Sequence, residues 1–356
     1  MVISTVSDQS QGEYDMKEPQ PSISDWRSLY NAAVEFKKNA CWEWMLDSDV
    51  FGIQNPANSE IGYCCIMGHL GEHFALAVYL GTEGLQVYLK MQSGEITEGN
   101  FDAFTIQKCL MASFENREFL SKEDRDIIKK LGLKFRGRNE WPMFRSYRPG
   151  YHPWYVTKDE AEYLTLALLQ TMEVSVRFEE DPDILIPSKK DHYLVRVPKK
   201  KGNEWQWADK WMKPEPLSKS EAAVSPINEV RLQRIKKTVK RRGGTLEADF
   251  FYSPAPVREG KERPYYPYTI LYIDSHSGLI RNASVAKPLE HMVEFPNGLM
   301  DLIENAGIRP NEILVRREEA SELLKLIASR LDIKLRLVKR LEMLEQVQAA
   351  MFQFFM

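Results

Sequence analysis

The first eighty residues change from a helical to a strand-like spacing of apolar positions. A helical repeat begins after Ser24 or Asp25, either of which can cap a helix. The apolar positions of this repeat are Trp26, Leu29, Ala33 and Phe36. Short apolar runs follow at residues 51–54, 61–68 and 74–81, and turn-forming residues separate the first two. The pattern predicts an amphipathic helix, then a β-hairpin, then a third, buried strand.

The next fifty residues predict two helices with a further element between them. Thr82 can cap the first helix, and the run at 110–116 fits a strand or a helix. Ser121 and Asp124 have the spacing of a capping box, and Gly132 can end the helix that they begin.

Residues 135–155 are rich in Arg, Pro and aromatic side chains but lack a regular repeat, which favours an ordered loop packed over the domain. Thr157 and Glu160 then open a long amphipathic helix. Strand-like runs on both sides of residues 199–203 predict a hairpin whose loop contains three lysines. Together these elements predict an α+β domain with mainly antiparallel strands.

The last third of the chain contains a regular succession of elements. A basic helix at about 228–241 stops at Gly243 and Gly244. Strands are predicted at 245–252, 268–274, 279–285, 312–316 and 333–338, and helices at 289–306, 317–331 and 338–355. The turn at 275–278 makes the second and third strands antiparallel, whereas the later strand-helix-strand step implies a parallel crossover. We therefore predict an α/β domain with a mixed five-stranded sheet. Its order, β-β-β-α-β-α-β-α, resembles the ribonuclease H-like fold.

Length and composition divide the chain into four segments. A chain of 356 residues, 43% hydrophobic, exceeds one ordinary compact domain. We expect a mobile polar segment at 1–22, an α+β domain at 23–213, a linker at 214–226 and the α/β domain at 227–356.

The formal charge of −3 conceals an uneven distribution of charged residues. Residues 1–126 carry a net charge of −11, residues 127–242 carry +10, and the remainder carries −2. The basic middle third permits an acidic partner or nucleic acid. An acidic surface that docks on a basic one within the same molecule explains the asymmetry too, and we favour that interpretation.

The compartment predicted from the sequence is the cytoplasm. Cys41, Cys64, Cys65 and Cys109 form no C-x-x-C pair, which is typical of a reducing environment. The first 24 residues lack the basic start and apolar core of a secretory signal. No apolar run approaches the length of a membrane span, so we expect no membrane partner.

One string matches a catalytic signature. His69, Glu72 and His73 have the H-x-x-E-H spacing of zinc peptidases, which would make the protein a zinc hydrolase. Histidines four residues apart share a face only in a helix, and Gly68 and Gly71 interrupt a helix here. We favour a turn or bulge before a strand and keep the zinc site as a remote alternative.

The resemblance to the ribonuclease H-like fold implies a set of carboxylates. Enzymes of this fold hold two metal ions with carboxylates on the first strand, the first helix and the end of the fourth strand. Asp249 matches the first position, and Glu247 lies beside it on the same strand face. Glu290 or Glu294 could supply the second.

The third carboxylate position fails in this sequence. The fourth strand runs into Arg316 and Arg317, and a cation at the metal position would repel a metal ion. Glu318 and Glu319 follow at a predicted helix start, where a carboxylate already has a structural role. A non-catalytic relative of these enzymes fits better than a nuclease.

Two basic segments are candidates for nucleic-acid binding, because cations neutralise phosphates and exposed rings stack on unpaired bases. The first joins three lysines to nearby tryptophans, and the second is the basic helix and its end. The candidates are Lys199, Lys200, Lys201, Arg234, Lys237 and Arg241. Solvated loop lysines, core tryptophans and cations that complement a helix dipole explain the same residues.

The motifs of common cofactor sites are absent from the sequence. It contains no G-x-S-x-G, no Walker A sequence and no G-x-G-x-x-G, so we expect no nucleotide cofactor. The segments WRSLYNAAVEFKK, IGYCCIMGHLGEHFALAVYLGTEGL and RPYYPYTILYIDSHSGLI resemble a bacterial two-domain family of unknown function. The resemblance implies a cytoplasmic bacterial protein and no reaction.

The leading hypothesis is a non-enzymatic binding or interaction protein whose partner is a protein or nucleic acid. The alternative is a nucleic-acid-binding or degenerate nuclease-like protein that acts through its C-terminal domain. The apolar stripe of the last helix closes the core or forms a homodimer contact, and we favour core closure.

Overall fold

A computed structural model describes residues 18–96, 101–202, 204–217 and 228–355, and its strands form two large sheets. The first part contains helices α1 Ile23–Asn39, α2 Gly81–Gln92, α3 Phe101–Ile106, α4 Lys122–Leu131 and α5 Lys158–Glu180. Its strands are β1 Phe51–Gln54, β2 Ile61–Met67, β3 Ala75–Leu80, β4 Cys109–Glu115, β5 Trp141–Tyr147, β6 Tyr193–Lys201 and β7 Glu204–Met212.

The first sheet has the strand order β5-β4-β3-β2-β1-β6-β7. All neighbours are antiparallel except β1 and β6. Because side chains alternate between the faces, Cys64 and Ile66 of β2 join the core with α1 and α5. Tyr63 joins a second core with Leu85 and Tyr88 of α2. Cover on both faces explains why these strands read as continuous apolar runs.

Helix starts at α4 and α5 follow the predicted capping boxes, but the caps predicted for α1 and α2 need correction. Thr82 lies inside α2, which begins at Gly81 without a side-chain cap. Ser121 caps α4 and Thr157 caps α5, each with the acidic residue three positions later, which confirms both predictions. The prediction for α1 was wrong, because Ser22 is the cap and Asp25 is its reciprocal partner. The serine hydroxyl then accepts the Asp25 amide, which Ser24 inside the first turn cannot do.

Two further predictions for this part need correction. The segment 135–155 contains the edge strand β5, in which Pro142, Phe144 and Ser146 are buried in alternation. The three lysines predicted in a hairpin loop lie in β6, which pairs with β7 through Lys201. The predicted mobile segment falls largely on residues 1–17, outside the described residues, and so does most of the predicted linker.

The second part contains helices α6 Glu229–Thr238, α7 His291–Ala306, α8 Glu318–Arg330 and α9 Glu342–Phe355. Its strands are β8 Arg241–Arg242, β9 Thr245–Tyr252, β10 Tyr268–Asp274, β11 Ile280–Ala286, β12 Ile308–Arg309, β13 Glu312–Val315 and β14 Lys334–Leu337. The basic helix ends at Thr238 and is shorter than predicted, and Arg241 and Arg242 form β8, which pairs with β12.

The second sheet has the strand order β11-β10-β9-β13-β14. β10 is antiparallel to both neighbours, and β9, β13 and β14 are parallel. Helices α7 and α8 pack on the face that contains Ala248 and Phe250, whereas α9 packs on the face that contains Phe251. Leu344 of α9 and Leu341 just before it are buried there, so the apolar stripe of α9 closes the core.

The two parts contact each other through short segments. Tyr151 and Tyr265 form an antiparallel bridge, and the His152 amide donates to the carbonyl of Pro264. The Arg263 guanidinium donates to the carbonyls of His152 and Ser146. Because both parts combine helices with strands, the chain is an α+β protein. Among the residues described, no helix has the length and apolar composition needed to cross a bilayer.

Candidate functional site

Asp249 lies at the centre of the second sheet with its side chain fully buried. Strand alternation places it with Glu247 and Phe251 on the face that α9 covers. In the parallel pairing of β9 with β13, Leu314 lies opposite Glu247. Two residues further along, the same register brings Arg316 beside Asp249.

Two guanidinium groups converge on the Asp249 carboxylate. Nε of Arg316 donates to Oδ2 at 2.5 Å, and Nε of Arg317 lies 3.1 Å from Oδ1. The Arg317 contact is an ion pair without hydrogen-bond geometry, so Oδ1 accepts no hydrogen bond from the described residues. The guanidinium of Arg317 also lies over the Phe250 ring at 5.6 Å. Asp249, Arg316 and Arg317 are called the arginine-carboxylate cluster below.

Glu247 has a structural partner of its own. Its buried Oε2 accepts the Leu344 amide at 2.8 Å, in the first turn of α9. A carboxylate at a helix N-terminus satisfies an otherwise unpaired amide and complements the helix dipole. Arg316 holds the same helix, because its Nη2 donates to the Gln348 side chain at 3.2 Å. Both carboxylates of β9 are thus engaged inside the domain.

The second predicted carboxylate lies elsewhere. Glu290 and Glu294 are exposed at the start of α7, which packs on the sheet face opposite to Asp249. The structure does not bring either candidate, Glu290 or Glu294, to Asp249, because their helix packs on the other face of the sheet. Within the described residues, no three acidic, His or Cys side chains are grouped to hold a metal ion.

The H-x-x-E-H residues lie in the turn between β2 and β3, not in a helix. They line an open cavity of about 300 Å³. His69 Nδ1 contacts the carbonyl of Trp42 at 3.0 Å, and His73 Nδ1 lies 3.9 Å from Glu115. The structure therefore gives the two imidazoles different partners, and the three side chains are not among any described group that could hold a metal ion.

Nucleophilic chemistry at the cysteines is disfavoured by burial. Cys41, Cys64 and Cys109 are buried and free of disulfides. Burial raises the pKa of each of these three thiols to about 12. Because only the thiolate is a strong nucleophile, these side chains act as small apolar core residues at neutral pH.

The two basic segments that are candidates for nucleic-acid binding differ in how their cations are paired. Arg234 pairs with Glu304 of α7 at 2.7 Å, and its neighbour Arg231 pairs with the same carboxylate. The cations of α6 therefore help to attach this helix to α7, although Lys237 and Arg241 are exposed. Lys199, Lys200 and Lys201 are exposed as well, at the end of β6.

Comparison with known proteins gives a family but no reaction. A domain of unknown function, DUF7309, matches residues 26–196, and a second, DUF6930, matches residues 231–352. The chain belongs to an uncharacterised two-domain family. The first match covers β1 to β5 of this family member and ends inside β6, and the second covers every strand of the second sheet. The comparison with curated proteins found no match.

Two solved structures show a low similarity to part of this family member. Both are magnesium complexes of the HTLV-2 integrase catalytic core domain, one trimeric and one dimeric. Each is 16% identical with a TM-score of 0.24, and the match covers 31% of this chain and 67% or 68% of the integrase chain. A TM-score this low identifies neither the fold nor the chemistry of this chain.

The role of α9 as a lid over Asp249 was not found from the sequence. Its apolar stripe predicted packing, but a stripe does not specify a sheet face. The contact between Glu247 and Leu344 joins residues 97 positions apart. A polar residue such as Gln348 on the apolar side of the helix was the available signal for a buried polar partner.

Proposed function

We propose that this protein is a non-catalytic binding protein of the bacterial cytoplasm, whose C-terminal domain is a ribonuclease H-like scaffold without a metal centre. The proposal includes the division into an α+β domain at 23–213, a linker at 214–226 and an α/β domain at 227–356. The observation that carries it is the arginine-carboxylate cluster.

The cluster opposes metal binding by charge and by position. Metal ligation needs a free carboxylate, and here Arg316 occupies Oδ2 while Arg317 lies against Oδ1. A divalent ion at this point would face two positive charges in a buried setting, where repulsion is poorly screened. Moving Arg316 away would also break its contact with Gln348 and loosen the cover of α9.

A cleavage assay tests the proposal directly. Labelled single-stranded and duplex DNA and RNA are incubated with the full chain and Mg²⁺ or Mn²⁺, and the products are separated by gel. We expect no metal-dependent cleavage above that of an Asp249→Asn variant purified in parallel. Manganese-dependent cleavage that Asp249→Asn abolishes would show that the carboxylate works as a metal ligand, and the proposal would fail.

The alternative of nucleic-acid binding through the C-terminal domain has less support. In its basic helix α6, Arg231 and Arg234 form ion pairs with Glu304, and Lys236 lies 3.2 Å from Asp332. Cations that are neutralised within the molecule release few counterions when a phosphate approaches. This helix therefore offers fewer cations to a phosphate than its sequence suggests, although Lys237 is exposed.

A further inference from the structure

The hairpin of β6 and β7 carries rings and cations at the free edge of the first sheet. β7 is the last strand in the sheet order, so one side of its backbone has no neighbouring strand among the described residues. β6 extends to Lys201 at the end of the hairpin. The hairpin tip is defined here as Lys199, Lys200, Lys201 and Trp205.

The cations of the hairpin tip are not neutralised in the way those of α6 are. Lys199, Lys200 and Lys201 are exposed, and no acidic side chain that the structure describes forms an ion pair with them. Lower in the same hairpin, Arg196 is held by Asp209 at 2.7 Å. The positive charge is therefore concentrated at the end of the ribbon, on both of its faces.

Tryptophan side chains line one face of the same ribbon. Trp205, Trp207 and Trp211 are separated by even numbers of residues, so strand alternation places them on one face. Trp207 packs against the core, whereas Trp205 and Trp211 are 41% and 37% exposed. Lys200 lies opposite Trp205 in the ladder, with its Nζ 5.9 Å from the ring centroid.

Exposed rings beside exposed lysines match one ligand chemistry. Bases of a single strand present flat faces that stack on Trp, while its phosphates attract lysine. A duplex buries its base faces in its own stack and offers only phosphates and groove edges. The stretch from Trp205 to Trp211 spans about 20 Å at the rise of a β-strand, enough for several nucleotides.

We infer that the hairpin tip binds single-stranded nucleic acid, with Trp205 as a stacking platform, Lys200 as the phosphate contact on the same face, and Lys199 and Lys201 as phosphate contacts for the strand where it passes around the end of the ribbon. The inference rests on the proposed function, because it assigns a ligand class to the non-catalytic binding protein. It places the ligand on the N-terminal domain, away from the arginine-carboxylate cluster.

Fluorescence anisotropy of the full chain tests the inference. The probes are labelled oligo-dT and oligo-rU of about 12 nucleotides, within known site sizes, and a duplex of equal length. Each is titrated at about 50 mM and about 200 mM salt, because phosphate contacts weaken as salt rises. Three lysine contacts predict a roughly 20-fold loss of affinity between these concentrations, from a slope of about −0.7 per contact.

Two variants separate stacking from charge. Trp205→Ala is expected to weaken oligo-dT binding about 5- to 150-fold, the range for loss of one stacked base, and Trp205→Phe to restore most of it. The triple change of Lys199, Lys200 and Lys201 to Ala should remove most of the salt dependence. The matched control changes three exposed lysines of the same domain to Ala, at positions 129, 130 and 134, and should leave binding unchanged.

Each outcome supports or overturns the inference. Salt-dependent binding of either single strand that the hairpin variants weaken and the control does not supports it. The oligo-dT and oligo-rU arms tell whether DNA, RNA or both is the ligand. No binding at about 50 mM salt, equal affinity for duplex, or equal loss in the control would overturn it. None of these results tests the proposed absence of catalysis, which fails only if metal-dependent cleavage appears in the assay with Mg²⁺ or Mn²⁺.

Discussion

Replacing Arg316 by Met tests whether Asp249 depends on an internal cation. Methionine keeps much of the volume of the arginine stem but removes its charge and its hydrogen bonds to Asp249 and Gln348. The Asp249 side chain is fully buried, so water cannot replace the lost partner. Removing one member of a buried pair leaves the other charge uncompensated.

The loss of stability expected for Arg316→Met follows from the burial of Asp249 and its distances to the two arginines. Two charges about 4 Å apart interact by about 4 kcal/mol at an effective dielectric constant of 20. Loss of one partner of a buried pair costs about 3–5 kcal/mol. Arg317 still lies 3.1 Å from Asp249, so we expect about 3 kcal/mol for Arg316→Met. Arg317→Met should cost only about 1 kcal/mol, because its side chain is 38% exposed and better screened.

The chain offers two signals for the assay. All eight tryptophans lie within residues 26–211, so tryptophan fluorescence follows the first part, whereas far-ultraviolet circular dichroism follows both. In urea, a loss of about 3 kcal/mol lowers the midpoint by about 1.5 M for a slope of about 2 kcal/mol/M. We expect this shift in the circular dichroism transition of the second part and a much smaller shift in fluorescence.

A double-mutant cycle with Asp249→Asn isolates the pair. With the charge at 249 removed, Arg316→Met should destabilise by about 2 kcal/mol less than it does in the wild type. A loss of stability below about 0.5 kcal/mol for Arg316→Met would show that Asp249 does not depend on Arg316, because ordinary surface substitutions cause losses of that size. A cycle with no coupling energy would show the same.

Three further substitutions test the fold. Gly62→Ala should destabilise the first part by about 1–3 kcal/mol, because the added methyl would lie 2.3 Å from the Tyr163 hydroxyl, and an unchanged fluorescence midpoint would contradict this. Burial raises the pKa of Asp124, but hydrogen bonding and the charge of Arg145 outweigh it and leave the pKa lowered. The stability that ionised Asp124 contributes should be complete above its pKa in the unfolded chain and lost as pH falls through its pKa in the folded protein. Asp124→Asn should therefore reduce the fall of unfolding free energy at acid pH, and identical pH profiles for the variant and the wild type would disprove this. Arg263→Met removes hydrogen bonds between the two parts and should widen the separation between the fluorescence and circular dichroism transitions, and a separation unchanged from the wild type would exclude this.

The strands of the second sheet could be predicted from local pattern, because apolar runs and glycine turns mark their ends. β9 and β10 match the predicted residues, whereas the short strands β8 and β12 were not predicted. The position of Arg316 beside Asp249 also followed from the sequence. Side chains two residues apart share a strand face, and the end of a parallel strand lies beside its neighbour.

The remaining features depend on interactions that local pattern does not contain. The segment K-K-K-G-N resembles a loop, yet pairing with β7 keeps it extended through Lys201. β5 was missed because Pro and Arg hide an alternation in which every second residue is buried. The sheet face chosen by α9, and hence the burial of Asp249, depends on a contact 97 residues away in sequence.

The central claim is that Asp249 is neutralised by internal cations and cannot act as a metal ligand. Diffraction from crystals soaked in manganese, recorded where manganese scatters anomalously, tests this directly. We expect no anomalous peak within coordination distance of Asp249, with Arg316 still in contact with its carboxylate. A manganese peak between Asp249 and Glu247, with Arg316 displaced, would contradict it.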